Sequence, residues 1–132
     1  MPPSEQVVVA NVARYHRGAE PTRQHPSYDS LSKPMRAEVR RLAAILRLAD
    51  GLDRGHICAV DRVRVRWMHD RIRITPIARN IHQPMRLEIW GASRKARLLE
   101  KVAGVPVEIV QPRLAARMRD RVLTDRAVRS PT

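Results

Sequence analysis

Phenylalanine is absent from this 132-residue chain, and aromatic residues make up only 3% of it. A core must therefore be assembled from Val, Leu, Ile, Ala and Met, and the stacking platforms of single-strand nucleic-acid binders are scarce. The single cysteine, Cys58, excludes an internal disulfide framework and a cysteine-based zinc site. It is expected to be a buried or half-buried thiol in a reducing compartment. No apolar run is long enough to cross a bilayer, and no charged-then-apolar leader opens the sequence, so the expectation is a cytoplasmic chain with no membrane partner. Glycine-rich phosphate loops of the P-loop or dinucleotide kind are missing, and no Ser-His-Asp or Cys-His spacing marks a nucleophile. Acidic residues complete the shortages: 13 Asp and Glu stand against 26 Lys and Arg, for a net charge of +13.

That imbalance points to a polyanionic partner such as nucleic acid, polyphosphate, a phosphorylated nucleotide or an acidic protein surface. Nearly all of the positive charge is arginine, whose planar fork holds phosphate oxygens in pairs. A genome-wide arginine bias gives the same count. A hydrophobic content of 43% suffices for one compact domain or two very small ones.

Ser4 is placed to cap a first helix through EQVVVANVARYHR, ending around His16 to Gly18. The segment GAEPTRQHPSYDSLSK reads as a loop, long for a simple connector. Pro34, with Ser32 or Lys33 as cap, then starts the strongest helix, which runs to about Asp53. Val39, Leu42, Ile45, Leu46, Ala49 and Leu52 share one face of it, and Arg36, Arg40, Arg47 and Arg54 another. Asp50 is three residues after Arg47 and four before Arg54, which predicts ion pairs to both. Asp53 projects nearer the apolar side and is expected to bond the turn that follows. From Val60 the period becomes two: Val63, Val65 and Trp67, then Ile72 and Ile74, alternate with arginines as a hairpin turning at His69-Asp70. Met85, Leu87 and Ile89 predict a third strand. SRKARLLEKVAG predicts a helix capped near Ser93 and stopped by Gly104, and VPVEIV an edge strand tolerating Pro106. The fold class is therefore α+β, with a helical first part followed by β-β-β-α-β. The arginine-rich stretch from Pro112 is equally compatible with a helix and with a mobile basic tail.

The His69-Asp70 pair is read as a charged turn, because the metal-binding His-Asp pairs of HD-type phosphohydrolases lie on helices. A different resemblance runs through VARYHRGAEP, a His-Pro/Tyr loop, LAAILRLADGLDR and LEIWGASRKARLLEKVAGVPVEI, in that order across most of residues 7–110. The chain resembles the C-terminal part of the exopolyphosphatase/guanosine pentaphosphate phosphohydrolase (Ppx/GppA) family. The resemblance implies a partial HD-like helical region over 1–57, a small α/β module over 58–111 and a basic tail over 112–132. In that family an actin-like domain hydrolyses acid anhydrides. This chain lacks that domain and the helices bearing the HD-like domain's own His and His-Asp pair, so it resembles a truncation or one subunit of a split protein. Removal of those helices is expected to expose Val8 and Val12.

The expected phosphate-binding residues are Arg14, His16, Arg17, Arg23, Arg36, Arg40 and Arg47, because arginines repeated along a surface suit a repeating phosphate chain. The resemblance implies the same ligand, polyphosphate or a related phosphate polyanion, together with docking to catalytic phosphatase domains or to a second copy. No cofactor is expected in this chain. His16 and Asp50 match positions of metal ligands in HD relatives, so a divalent metal such as Mg enters only with the rest of such a site. The rival expectations are a subunit or remnant of an HD-type metal-dependent phosphohydrolase and a basic nucleic-acid-binding module.

Overall fold

A computed structural model describes residues 1–112, and the basic tail lies outside the described residues beyond Pro112. The elements run α1 (Pro3–Tyr15), α2 (Pro26–Asp29), α3 (Lys33–Leu52), β1 (Val60–Trp67), β2 (Ile72–Ala78), α4 (Arg86–Lys95), α5 (Arg97–Ala103) and β3 (Val107–Ile109). Helices and a mixed three-stranded sheet make this an α+β fold. No helix among the described residues is long and apolar enough to cross a membrane.

Helix α3 is the organising element. The Ser32 hydroxyl accepts from the Met35 amide at its start, where Pro34 occupies the first turn, as the sequence predicts. Its buried residues are Val39, Ala43, Ala44, Leu48, Gly51 and Leu52, so small side chains make up half of the inward face. Leu42, Ile45 and Leu46, expected on the same face as Val39 and Leu52, are exposed instead. Helix α1 lies beside α3 and runs the same way: Glu5 shares a groove with Glu38, Val9 with Leu42, and Arg17 reaches Asp50. Val8 is buried in that contact, contrary to its expected exposure, while Val9 takes the exposed position.

The presumed long loop is a packed crossover. Short α2 brings Tyr28 and Leu31 into the core, where the Tyr28 ring meets Tyr15 edge-on at 6.0 Å. The Tyr15 hydroxyl also bonds His25 Nδ1 at 2.8 Å. Both tyrosines of the chain and His25 thus close the α1–α3 connection.

The hairpin forms as expected, with Met68 N–H donating to the Arg71 carbonyl across the His69-Asp70 turn. Strand β3 joins the other side of β2 in parallel, and Pro106 sits just outside its ladder, its carbonyl accepting from Ile72. The third predicted strand does not exist: residues 86–95 are helix α4. Its buried positions, Glu88, Gly91 and Ala92 after Met85, follow a helical spacing and face α3 and β2. Ser93 lies inside α4 and donates to the Ile89 carbonyl rather than capping a helix. Gly104, at φ +73°, ends α5 in the left-handed conformation expected of a C-terminal glycine.

The crossing of α3 and α4 is unusually close. A Cβ on Gly51 would lie 2.7 Å from the Gly91 carbonyl and the Ala92 nitrogen, and one on Gly91 would lie 2.6 Å from the Gly51 oxygen. Only two glycines allow the backbones to touch there. This contact sets α4 against α3, where Ala92 and Ala96 join the cluster that holds Ile72 and Ile74, and brings Lys95 to the end of α3.

Candidate functional site

Three elements converge where α3 ends. Asp50 projects from its last turn, Arg17 follows the end of α1, and Lys95 closes α4. Arg54 and His56 come from the segment leading to β1, and the five residues line an open cleft of about 230 Å³. Arg17 Nη2 donates to Asp50 Oδ1 at 2.8 Å, and Lys95 Nζ to Oδ2 at 3.0 Å, so each carboxylate oxygen holds one cation. The Asp50 carboxyl is consequently pulled from its ordinary 3.8 down to about 2, chiefly by the Arg17 hydrogen bond and further by Lys95. Asp50 stays ionised at all ordinary pH, and a carboxylate that acidic is a poor general base.

The expected bridge from Asp50 to Arg47 and Arg54 is therefore corrected. Arg47 turns the other way and donates to the carbonyls of Tyr15, Gly18 and Ala19 at 2.9, 3.1 and 3.5 Å. Tyr15 supplies one of the orphan acceptors at the end of α1 and Gly18 and Ala19 belong to the turn that follows, so Arg47 ties α3 to the end of α1 and to its exit turn. Arg54 sits over the Trp90 ring at 5.5 Å, with Arg94 at 5.0 Å from the same ring. Asp53 is exposed rather than near the core, though its carboxylate does bond the next turn, reaching His56 Nδ1 at 3.3 Å. His56 and Cys58 both have φ +52°, an uncommon left-handed conformation outside glycine, and Cys58 is exposed rather than buried.

Of the seven residues expected to bind phosphate, Arg17 lines the cleft. Arg14 donates to the Ser27 hydroxyl at 2.8 Å and Arg23 to Asp29 at 2.7 Å. Arg36 donates to the Leu31 and Asp29 carbonyls, holding the turn before α3. Arg40 is half-buried on α3, and the half-buried His16 bonds the Ala13 carbonyl through Nδ1. Arg36 and Arg47 are thus committed to carbonyl oxygens within the fold. His16 and Asp50, as placed here, do not offer a divalent cation a pair of free ligands. Both Asp50 oxygens face cations, and a metal there would sit beside like charge.

Sequence reasoning missed Lys95, His56 and the site role of Arg54. Lys95 is 45 positions from Asp50, so no local spacing rule connects them. The chemistry of the cleft follows: Arg17 and Lys95 hold the Asp50 carboxylate between them, and Arg54 and His56 line the same cleft. Comparison with models of known protein families gives no match. Comparison with curated proteins gives none either.

Proposed function

We propose that this chain is an accessory part of an exopolyphosphatase-type (Ppx/GppA) phosphatase that binds polyphosphate or a related phosphate polyanion. The observation that carries the reading is the cleft in which Arg17 and Lys95 hold Asp50 and Arg54 contributes a further cation to the lining. Asp50 serves there as a resident counter-ion. An arriving phosphate competes with it for the Arg17 fork and the Lys95 ammonium, and the excess of positive charge favours the exchange. Successive phosphates then engage the basic surface around α1, where Arg14 and Arg23 are exposed. Docking to catalytic domains fits the apolar groove of Val9, Val12, Leu42, Ile45 and Leu46 between α1 and α3. The resemblance of VARYHRGAEP and LAAILRLADGLDR to that family supports the same ligand class.

The test is titration of the full chain with polyphosphate of defined length and with a mixed-sequence oligonucleotide, over a range of salt. Polyphosphate is expected to bind more tightly, with an affinity that falls steeply as salt rises. Arg17→Ala and Lys95→Ala weaken that binding, whereas Asp50→Asn strengthens it by removing the competing carboxylate. Equal affinity for the two polyanions at near-physiological salt removes the main support for the reading.

A further inference from the structure

Among the described residues the outer edge of the hairpin is open to another strand. Met68 donates to the Arg71 carbonyl, and the register pairs Arg66 with Arg73 and Arg64 with Thr75. The alternation of an antiparallel ladder then turns the backbone groups of Arg64 and Arg66 toward β2, and those of Val63, Val65 and Trp67 away from it. Among the described residues β1 has no neighbour on that outer side.

The same three residues expose their side chains. Val63, Val65 and Trp67 are 41%, 60% and 70% accessible, although they lie on the face where β2 buries Ile72 and Ile74. None of them belongs to either hydrophobic cluster. On the opposite face Arg66 stands directly across from Arg73, whose Nε is already held by Glu108 at 3.0 Å. Two cations face each other there, and a carboxylate arriving on the outer side of Arg66 relieves the repulsion.

We propose that the β1 edge receives an extended segment of a partner protein in which apolar and acidic residues alternate. The partner's backbone bonds to Val63, Val65 and Trp67, its apolar side chains cover theirs, and its carboxylates lie against the arginine face. A second copy of this chain fits poorly. Two-fold pairing through β1 would set Arg64 and Arg66 of one copy beside those of the other, the charge pattern that keeps edge strands from self-pairing.

The test uses the full chain carrying Trp90→Phe, which leaves Trp67 as the only tryptophan. A labelled peptide with valine and glutamate alternating over the length of β1 is titrated by anisotropy while Trp67 emission is followed. Expected is saturable binding with a blue shift of Trp67. Affinity should fall about tenfold in Val65→Pro, which removes one outward N–H and leaves the bonds to β2 intact. A peptide N-methylated on alternate residues, tested on unaltered β1, should lose binding to the same degree, so the proposal stays testable even if Val65→Pro does not fold. Equal binding of a peptide with the same residues in two blocks would overturn the proposal, since net charge alone would then explain it. So would a dimer in sedimentation that Val65→Pro dissociates, which assigns the edge to a second copy.

Discussion

Strands β1 and β2 both alternate apolar with polar residues, Val63, Val65 and Trp67 with arginines in β1 and Ile72 and Ile74 with Arg73 and Thr75 in β2, yet they live in different surroundings. In β2 Ile72 and Ile74 are buried against Leu48 and Leu52 of α3 and Ala92 and Ala96 of α4. In β1 the cross-strand partners of those residues, Trp67 and Val65, lie on the same face and stand open to solvent. Alternation in sequence specifies which side chains share a face. Whether that face is covered depends on where the helices sit, and here Leu48, Leu52, Ala92 and Ala96 cluster with Ile72 and Ile74 and leave Val63, Val65 and Trp67 outside. The difference between the strands is thus decided by the α3–α4 crossing, where Gly51 meets Gly91 and Asp50 holds Lys95.

Breaking that crossing should make β2 resemble β1. Gly51→Val places branched atoms where even a single Cβ would meet backbone at 2.7 Å, and backbone cannot yield as a flexible side chain does. The expected loss is about 4 kcal/mol or more, with exposure of Ile72 and Ile74. Urea unfolding gives the first quantity, and hydrogen exchange of the β2 amides the second. Matched truncations then compare the strands directly. Ile74→Ala should cost about 3 kcal/mol, because it empties a site beneath α4. Val65→Ala, at its cross-strand partner, should change stability by less than about 0.5 kcal/mol. Similar losses at the two positions in urea titrations would mean that β1 is covered as β2 is.

The crossing also explains how much was legible in advance. The Ser32 cap, Pro34 and the long run to Leu52 announced α3, and the change to period two at Val60 announced the hairpin. Residues 85–90 misled because Met85, Leu87 and Ile89 alternate with polar neighbours, so the large side chains suggest a strand. The signal for a helix lies in the spacing of Met85, Glu88, Ala92 and Ala96, where the two alanines are small residues that a search for large apolar ones overlooks. Helix α3 shows the same inversion, burying Ala43, Ala44 and Gly51 while exposing Leu42, Ile45 and Leu46. Small residues mark the inside wherever two helices approach this closely. The candidate site was half legible. Asp50 and Arg17 were singled out, but the spacing rule for one helix chose Arg47 and Arg54 as partners. Packing chose Arg17 and Lys95 from other elements, and Arg47 was drawn to the Tyr15 carbonyl at the end of α1 and to the Gly18 carbonyl in the turn after it.

A smaller effect than that of Gly51→Val or Ile74→Ala probes the electrostatic half of the same crossing. The Asp50 carboxyl titrates at about 2 in the folded chain against 3.8 ordinarily, so the folded state binds its proton less readily than the unfolded state does. Above pH 3.8 the contribution to stability is complete; it declines as pH falls and is gone once the pH passes below about 2. Its size is about 1–2 kcal/mol, toward the lower end because Arg17 is 61% exposed and its attraction is screened by solvent. Asp50→Asn should therefore lower stability by that amount at neutral pH and lessen the acid dependence between pH 4 and pH 2, while added salt should reduce the difference between the two proteins. Urea titrations at a series of pH values measure this. Trp90, which lies on α4 between Arg54 and Arg94, gives a local signal for whether that helix loosens as Asp50 is neutralised. An unchanged acid limb in Asp50→Asn would show that the Asp50–Lys95 pair does not help hold α4 to α3, leaving the Gly51–Gly91 contact and its surrounding core to keep β2 covered.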